Sequence, residues 1–125
     1  MKFSTSLKLN HIFRRLYQKG HSAANKYLVI YCRKNGSGGN RIGLTVSAKL
    51  GHAVVRNRIR RRLREIYRLH EAQFQPGWDL VVVARSRAVT APYLQLEKAY
   101  LSLAGKLGVL RKEEITIETD LPEAH

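Results

Sequence analysis

The chain has 125 residues, 44% of them apolar, and carries 23 Lys and Arg against nine Asp and Glu, a net charge of +14. Length and apolar share fit one folded domain and exclude a disordered basic tail. A single cysteine, Cys32, excludes a disulfide framework or a cysteine-rich zinc site within one chain, and no apolar run is long enough to span a bilayer.

The charge is uneven. Five acids (Glu113, Glu114, Glu118, Asp120, Glu123) fall in the last thirteen residues, so residues 1–112 hold 23 basic side chains against four acids, or +19. Self-repulsion of that size asks for a polyanionic partner, and nucleic acid supplies dense phosphate charge and releases counterions on binding. An anionic membrane is the rival partner, but it needs a basic helix with a bulky apolar face. The division of charge predicts one nucleic-acid-binding domain over residues 1–112 and an acidic, disordered tail over 113–125. The N-terminal Met1-Lys2-Phe3-Ser4-Thr5-Ser6 lacks the apolar run of a signal peptide. With the lone cysteine this predicts a cytoplasmic protein.

In chain order, Leu7 to Gly20 reads as a first helix, with Asn10 as N-cap and Gly20 as stop. Its stripe is Ile12, Phe13, Leu16 and Tyr17. Phe13 and Tyr17 lie one turn apart, either as core residues or as a surface on which bases stack. Tyr27 to Lys34 reads as a strand. Tyr27, Val29, Tyr31 and Arg33 share one face; Leu28, Ile30, Cys32 and Lys34 share the other. The first face is aromatic and basic, which suits a single-stranded nucleic acid and equally suits a half-exposed strand. Cys32 reads as a small core residue.

Asn35-Gly36-Ser37-Gly38-Gly39-Asn40 is a turn without the Gly-Lys-Ser/Thr ending of a phosphate-binding loop. Arg41 to Ser47 is a return strand with Ile42, Leu44 and Val46 on one face, and the two strands are expected to form a hairpin.

A basic helix comes next, entered through Ser47-Ala48-Lys49-Leu50-Gly51-His52 and running to about Gln73. Six of the nine residues from Arg56 to Arg64 are arginine. At about 100° per residue, Val55, Ile59, Leu63, Ile66 and His70 fall on one face. Arg56, Arg60, Arg61, Arg64 and Arg68 fall on the other half, a cationic strip facing away from the core. Gly51 permits a tight approach at the entry, and the free N–H groups of the first turn suit an anion, with Lys49 beside them. Asn57 is unusual inside a helix; its amide can meet a base or ribose edge. Glu65 reads as an ion-pair partner of Arg61 or Arg68.

Asp79 to Arg85 reads as a strand buried on both faces and, through the helix before it, parallel to one of the earlier pair. Pro92 opens a last helix over Tyr93 to Leu107. Its buried stripe is Leu96, Ala99, Tyr100, Leu103, Ala104 and Leu107, and Gly108 is its stop.

The stretch Ser47-Ala48-Lys49-Leu50-Gly51-His52-Ala53-Val54-Val55-Arg56-Asn57-Arg58-Ile59-Arg60-Arg61-Arg62-Leu63-Arg64-Glu65 closely resembles the protein component of bacterial ribonuclease P. Its centre is Arg56-Asn57-Arg58. Supporting matches are Phe13, Tyr17, Tyr31, Arg41, Gly43 and Val82-Val83-Ala84-Arg85, so the likeness covers roughly Leu7 to Leu107.

The resemblance implies an α/β (α+β) two-layer sandwich of the ribosomal protein S5 domain 2-like kind, in the order α-β-β(-β)-α-β-α, with a left-handed crossover around the basic helix. It also implies the activity of an endoribonuclease holoenzyme. A large RNA binds Mg²⁺ and hydrolyses the phosphodiester at the 5′ end of mature tRNA in precursor tRNA; the protein binds that RNA and the 5′ leader. By match, Arg56, Asn57, Arg58, Arg60, Arg61 and Arg64 look like the surface for the catalytic RNA. Phe13, Tyr17, Tyr31, Arg33 and Lys49 look like the leader cleft, Arg33 resting more on strand alternation than on the family motif.

The residues themselves agree with chemistry held elsewhere. Before the tail the acids are only Glu65, Glu71, Asp79 and Glu97, with no metal-ligand spacing to His11, His21, His52 or His70, so paired carboxylates for two-metal phosphodiester cleavage are lacking. No catalytic residue is expected in the protein, and neither a membrane nor a small-molecule substrate is expected as partner. A structural RNA-binding protein of similar fold, such as a ribosomal protein, is the alternative reading.

Overall fold

The computed structural model describes residues 4–6 and 10–111. The elements are β1 (Ser4–Ser6), α1 (Asn10–Lys19), β2 (His21–Ala24), β3 (Leu28–Lys34), β4 (Asn40–Thr45), α2 (Ala53–His70), β5 (Trp78–Ala84) and α3 (Tyr93–Leu107). The acidic tail and residues 7–9 of the expected first helix lie outside the described residues, as does the capping side chain of Asn10.

The five strands form one sheet in the order β1-β4-β5-β3-β2. The expected hairpin between β3 and β4 is not formed. β5 lies between them, antiparallel to β3 and parallel to β4. The reason is hydrophobicity: Leu80, Val81 and Val82 are all buried, and a strand apolar on both faces belongs in the middle of a sheet. The turn after β3 wraps around the start of β5, where the N–H of Asn35 donates to the carbonyl of Gly77 at 2.9 Å. Gly77 has φ +95°, and a side chain there would meet the Ser37 carbonyl at 3.0 Å, so glycine is required on both counts. The expected parallel partner of β5 is therefore β4, joined to it through α2.

β2 pairs with β3 as an edge strand. Its sequence, His-Ser-Ala-Ala, is nearly all exposed and has no branched residue, so alternation gives little signal there. Asn25 closes this hairpin. Its Oδ1 accepts from the N–H groups of Tyr27 and Leu28, both at 3.0 Å.

The strand alternation of β3 holds: Leu28, Ile30 and Cys32 are buried, while Val29, Tyr31 and Arg33 are half-buried. The buried set joins Ile42, Leu80, Val82 and Ala84 under Ile59, Leu63 and Ile66 of α2 and Leu96, Ala99, Tyr100 and Leu103 of α3. Sheet and α2/α3 thus make the expected two layers. Two polar ties fix the helices. His70 Nε2 and Glu97 Oε2 are 2.8 Å apart across α2 and α3. The buried Tyr67 hydroxyl accepts from Asn40 Nδ2 at 3.1 Å and lies 2.7 Å from Ser4 Oγ.

On the opposite face, α1 crosses the sheet. Leu16 and Val81 form a small second core, with Phe13, Tyr31 and Val83 packed at its edge. That smaller core leaves part of the face open beside α1, where the aromatic candidates sit.

Candidate nucleic-acid interface

Two separate surfaces carry the residues singled out from the sequence, one on each side of the sheet.

The first is the outer face of α2. Ile59, Leu63, Ile66 and Tyr67 are buried, and Val55 and His70 are half-buried, so the apolar face packs as expected. The exposed polar residues of the helix are Asn57, Arg61, Arg64 and Arg68. At about 100° per residue they fall within some 60° of arc, a straight strip along the helix. Arg56, Arg58 and Arg60 flank it and are half-buried.

Local bonds sort these arginines. Arg56 Nε donates to the Gly51 carbonyl at 3.2 Å, and Gly51 itself has φ +150° with the Val55 side chain 3.0–3.3 Å from any added Cβ. This is the tight entry expected there. Arg60 Nη1 donates to Asn57 Oδ1 at 2.9 Å, so Asn57 has one acceptor site used within the helix and keeps its amide N–H groups for a partner. Arg68 forms a two-point pair with Glu65 at 3.0 and 2.6 Å, which decides between the two partners expected for Glu65 and holds its carboxyl below the usual range. Arg62 turns inward and donates to the Ala91 carbonyl at 3.2 Å; it anchors the start of α3. Arg58 Nε is buried and has no hydrogen-bond partner among the described residues. A buried donor is costly when unpaired, so an acceptor from outside the chain would satisfy it.

The second surface lies on the α1 side of the sheet. Tyr17 is 42% exposed. Its ring stands edge-on to Tyr31, centroids 4.8 Å apart, and 6.5 Å from Phe13. The Tyr17 hydroxyl lies 3.3 Å from Thr45 Oγ1. Phe13, Arg14, Tyr17 and Thr45 line a shallow concavity of about 410 Å³. Phe13 packs on the small core, as the core reading has it, while Tyr17 lies partly open to solvent. Leu16 of α1 is fully buried.

Arg33 and Lys49 are not drawn into this cluster. Arg33 lines a neighbouring pocket with Arg15, Lys34 and Arg41. Lys49 is exposed in the short turn Ala48–Leu50 before α2, capped by Ser47. Sequence reasoning missed the floor of that pocket. Arg41 makes a two-point pair with Asp79, both bonds 2.7 Å, and Asn35 Nδ2 donates to the same carboxylate at 3.0 Å.

No group of three or more His, Cys, Asp and Glu among the described residues is placed to hold a metal. Asp79 is committed to Arg41, Glu65 to Arg68 and Glu97 to His70. Buried Cys32 has its thiol pushed up to about 11 by desolvation, which suits a core residue and not a nucleophile. No described helix is long and apolar enough to cross a membrane.

The family model for ribonuclease P matches residues 1–108. The chain belongs to the ribonuclease P protein family. It is 43% identical over 110 residues to the ribonuclease P protein component of Alkaliphilus oremlandii, covering 88% of this chain and 96% of that one. The solved ribonuclease P protein of Staphylococcus aureus is similar with a TM-score of 0.79 at 36% identity, over 85% of this chain and 97% of that one. That of Thermotoga maritima gives 0.73 at 31%, over 78% and 92%. The mixed α/β fold is therefore that of ribonuclease P proteins.

Proposed function

We propose that this chain is the protein subunit of a ribonuclease P ribonucleoprotein that removes the 5′ leader from precursor tRNA. The observation that carries this is the division of labour between the two sides of the sheet. The outer face of α2 offers a strip of guanidinium groups, with Arg56 and Arg60 held by bonds within the helix and its entry, and the Arg58 donor without a partner among the described residues, suited to a folded RNA backbone. The α1 side offers Tyr17, Tyr31 and Phe13 with cations nearby, suited to a single strand whose bases stack.

In this reading Arg58, Arg60, Arg61, Arg64 and Asn57 hold the catalytic RNA, with Arg56 bracing the entry to the helix. Phe13, Tyr17 and Tyr31 hold the leader, and Arg33 and Lys49 extend its path. Mg²⁺ belongs to the RNA subunit and substrate, because Asp79, Glu65 and Glu97 are committed to partners within the chain. The protein's own work is to bind and orient: it fixes the leader against the RNA so that the scissile phosphodiester lies at the RNA's site. Family membership favours this over the ribosomal alternative.

The test is reconstitution of the chain with a bacterial ribonuclease P RNA, following precursor tRNA cleavage at low Mg²⁺. The expected result is a clear gain over RNA alone and correct 5′ ends. Cleavage equal to that of RNA alone sinks the proposal.

A further inference from the structure

The strand register places the two leader-side features in adjacent rows. Arg33 of β3, Asp79 of β5 and Arg41 of β4 are partners across three neighbouring strands. One step along the same face come Tyr31, Val81 and Gly43. Same-face rows are two residues apart, about 6.6 Å. A cationic row therefore lies directly beside the row that carries the aromatic platform.

The cationic row floors a concavity of about 380 Å³, walled by Arg15 and Lys34. Three guanidinium groups, those of Arg15, Arg33 and Arg41, share it with one carboxylate. Asp79 is spent on Arg41 Nε and Nη2 and on Asn35, so it fixes the Arg41 fork without neutralising the rest. Arg41 Nη1 makes no hydrogen bond, and neither Arg15 nor Arg33 has a hydrogen bond or ion pair, with another described residue. Lys34 rests over the Trp78 ring, 5.8 Å from its centroid. The planar guanidinium groups of Arg15, Arg33 and Arg41, lining one concavity, suit a tetrahedral oxyanion.

We propose that this pocket is a phosphate site, and that it takes the backbone phosphate of the nucleotide next to the one stacked on Tyr17 and Tyr31. Base platform and phosphate pocket then alternate along the sheet face as base and phosphate alternate along the strand. The inference rests on the leader reading above and sharpens it: Arg33, with Arg15 beside it, holds one phosphate of the leader next to the aromatic platform.

The experiment uses the reconstituted holoenzyme and measures affinity for precursors with a long leader or none, as a function of salt. The Arg15→Ala, Arg33→Ala double variant is expected to bind the long-leader substrate about tenfold more weakly relative to the leaderless one. Its salt slope should fall by about 0.7 for each phosphate that the variant no longer neutralises. Arg33→Lys should recover part of the slope. An unchanged ratio and slope overturns the proposal. If Tyr31→Ala loses leader discrimination while the double variant keeps it, the leader reading stands and the pocket falls. If the wild type does not discriminate at all, the leader reading falls, and inorganic phosphate titrated into the full free protein decides the pocket alone. Shifts of the Arg33 and Lys34 amide resonances that vanish in the double variant keep a phosphate site supplied from another source. Absence of shifts removes it.

Discussion

Tyr17 on α1 and Tyr31 on β3 meet edge to face, their ring planes at 73°. The contact gives Tyr31 a fixed orientation and leaves Tyr17 partly open, so the pair forms a wall on which a base can lie. Tyr31→Ala is expected to cost about 1–3 kcal/mol of affinity for a long-leader precursor. Tyr17→Ala should cost a similar amount, and the double variant less than the sum, because the rings support each other by roughly 0.5–1.5 kcal/mol. Holoenzyme binding of long-leader and leaderless substrates reads this out. An equal loss for both substrates would place Tyr31 outside the leader site.

Arginines on α2 should divide by where they point. Arg58→Ala and Arg61→Ala are expected to weaken assembly with the catalytic RNA, each flattening the log–log salt slope by about 0.7–0.9. Arg62→Ala should leave that slope alone, since its guanidinium holds the Ala91 carbonyl. It should instead lower unfolding free energy by about 1–2 kcal/mol, as expected for a charged hydrogen bond to backbone. Filter binding across salt and urea unfolding separate the two effects. A flattened slope for Arg62→Ala with unchanged stability would reverse the assignment.

Asp79 should matter more for folding than for RNA. Its side chain is 8% exposed against 39% for Arg41, and it also accepts from Asn35. Asp79→Asn breaks a partly buried, two-point pair, and the expected loss is about 1–3 kcal/mol, below the figure for a fully buried pair because Arg41 is still hydrated. Thermal or urea unfolding of the free protein measures it. Stability equal to wild type would mean that the pair only orients Arg41.

Sequence reasoning succeeds where one element's own period decides the outcome. Ile59, Leu63 and Ile66 face the core because a 3.6-residue repeat leaves them no other side, and Leu28, Ile30 and Cys32 follow from period two. It fails where neighbours decide. Nothing in Tyr27–Lys34 or Arg41–Ser47 says that Leu80–Ala84 will slide between them, so the hairpin is the wrong pairing. The Arg33–Asp79–Arg41 row is invisible for the same reason: it exists only once the register of three strands is known. Asn57, Arg61 and Arg64 are legible as exposed residues. The inward turn of Arg62 is not, because its acceptor lies 29 residues away on the approach to α3.

Cys32 gives the molecule a pH dependence whose sign follows from burial. Desolvation raises its thiol from 9.0 to about 11, so the folded state keeps the proton after the unfolded chain has lost it. The stabilisation is full below pH 9 and is lost as pH rises toward 11, by about 2–3 kcal/mol in total. Tyr67 and Tyr100 are also raised by burial, but they are common to wild type and variant. Cys32→Ala, although it starts from a lower stability through the lost volume, should therefore show a shallower decline between pH 9 and 11 than wild type in urea unfolding. Native Cys32 should likewise resist alkylation at pH 8 until the chain unfolds. Parallel pH curves for the two proteins, or rapid native labelling, would mean that the thiol is not shielded beneath α2 and α3.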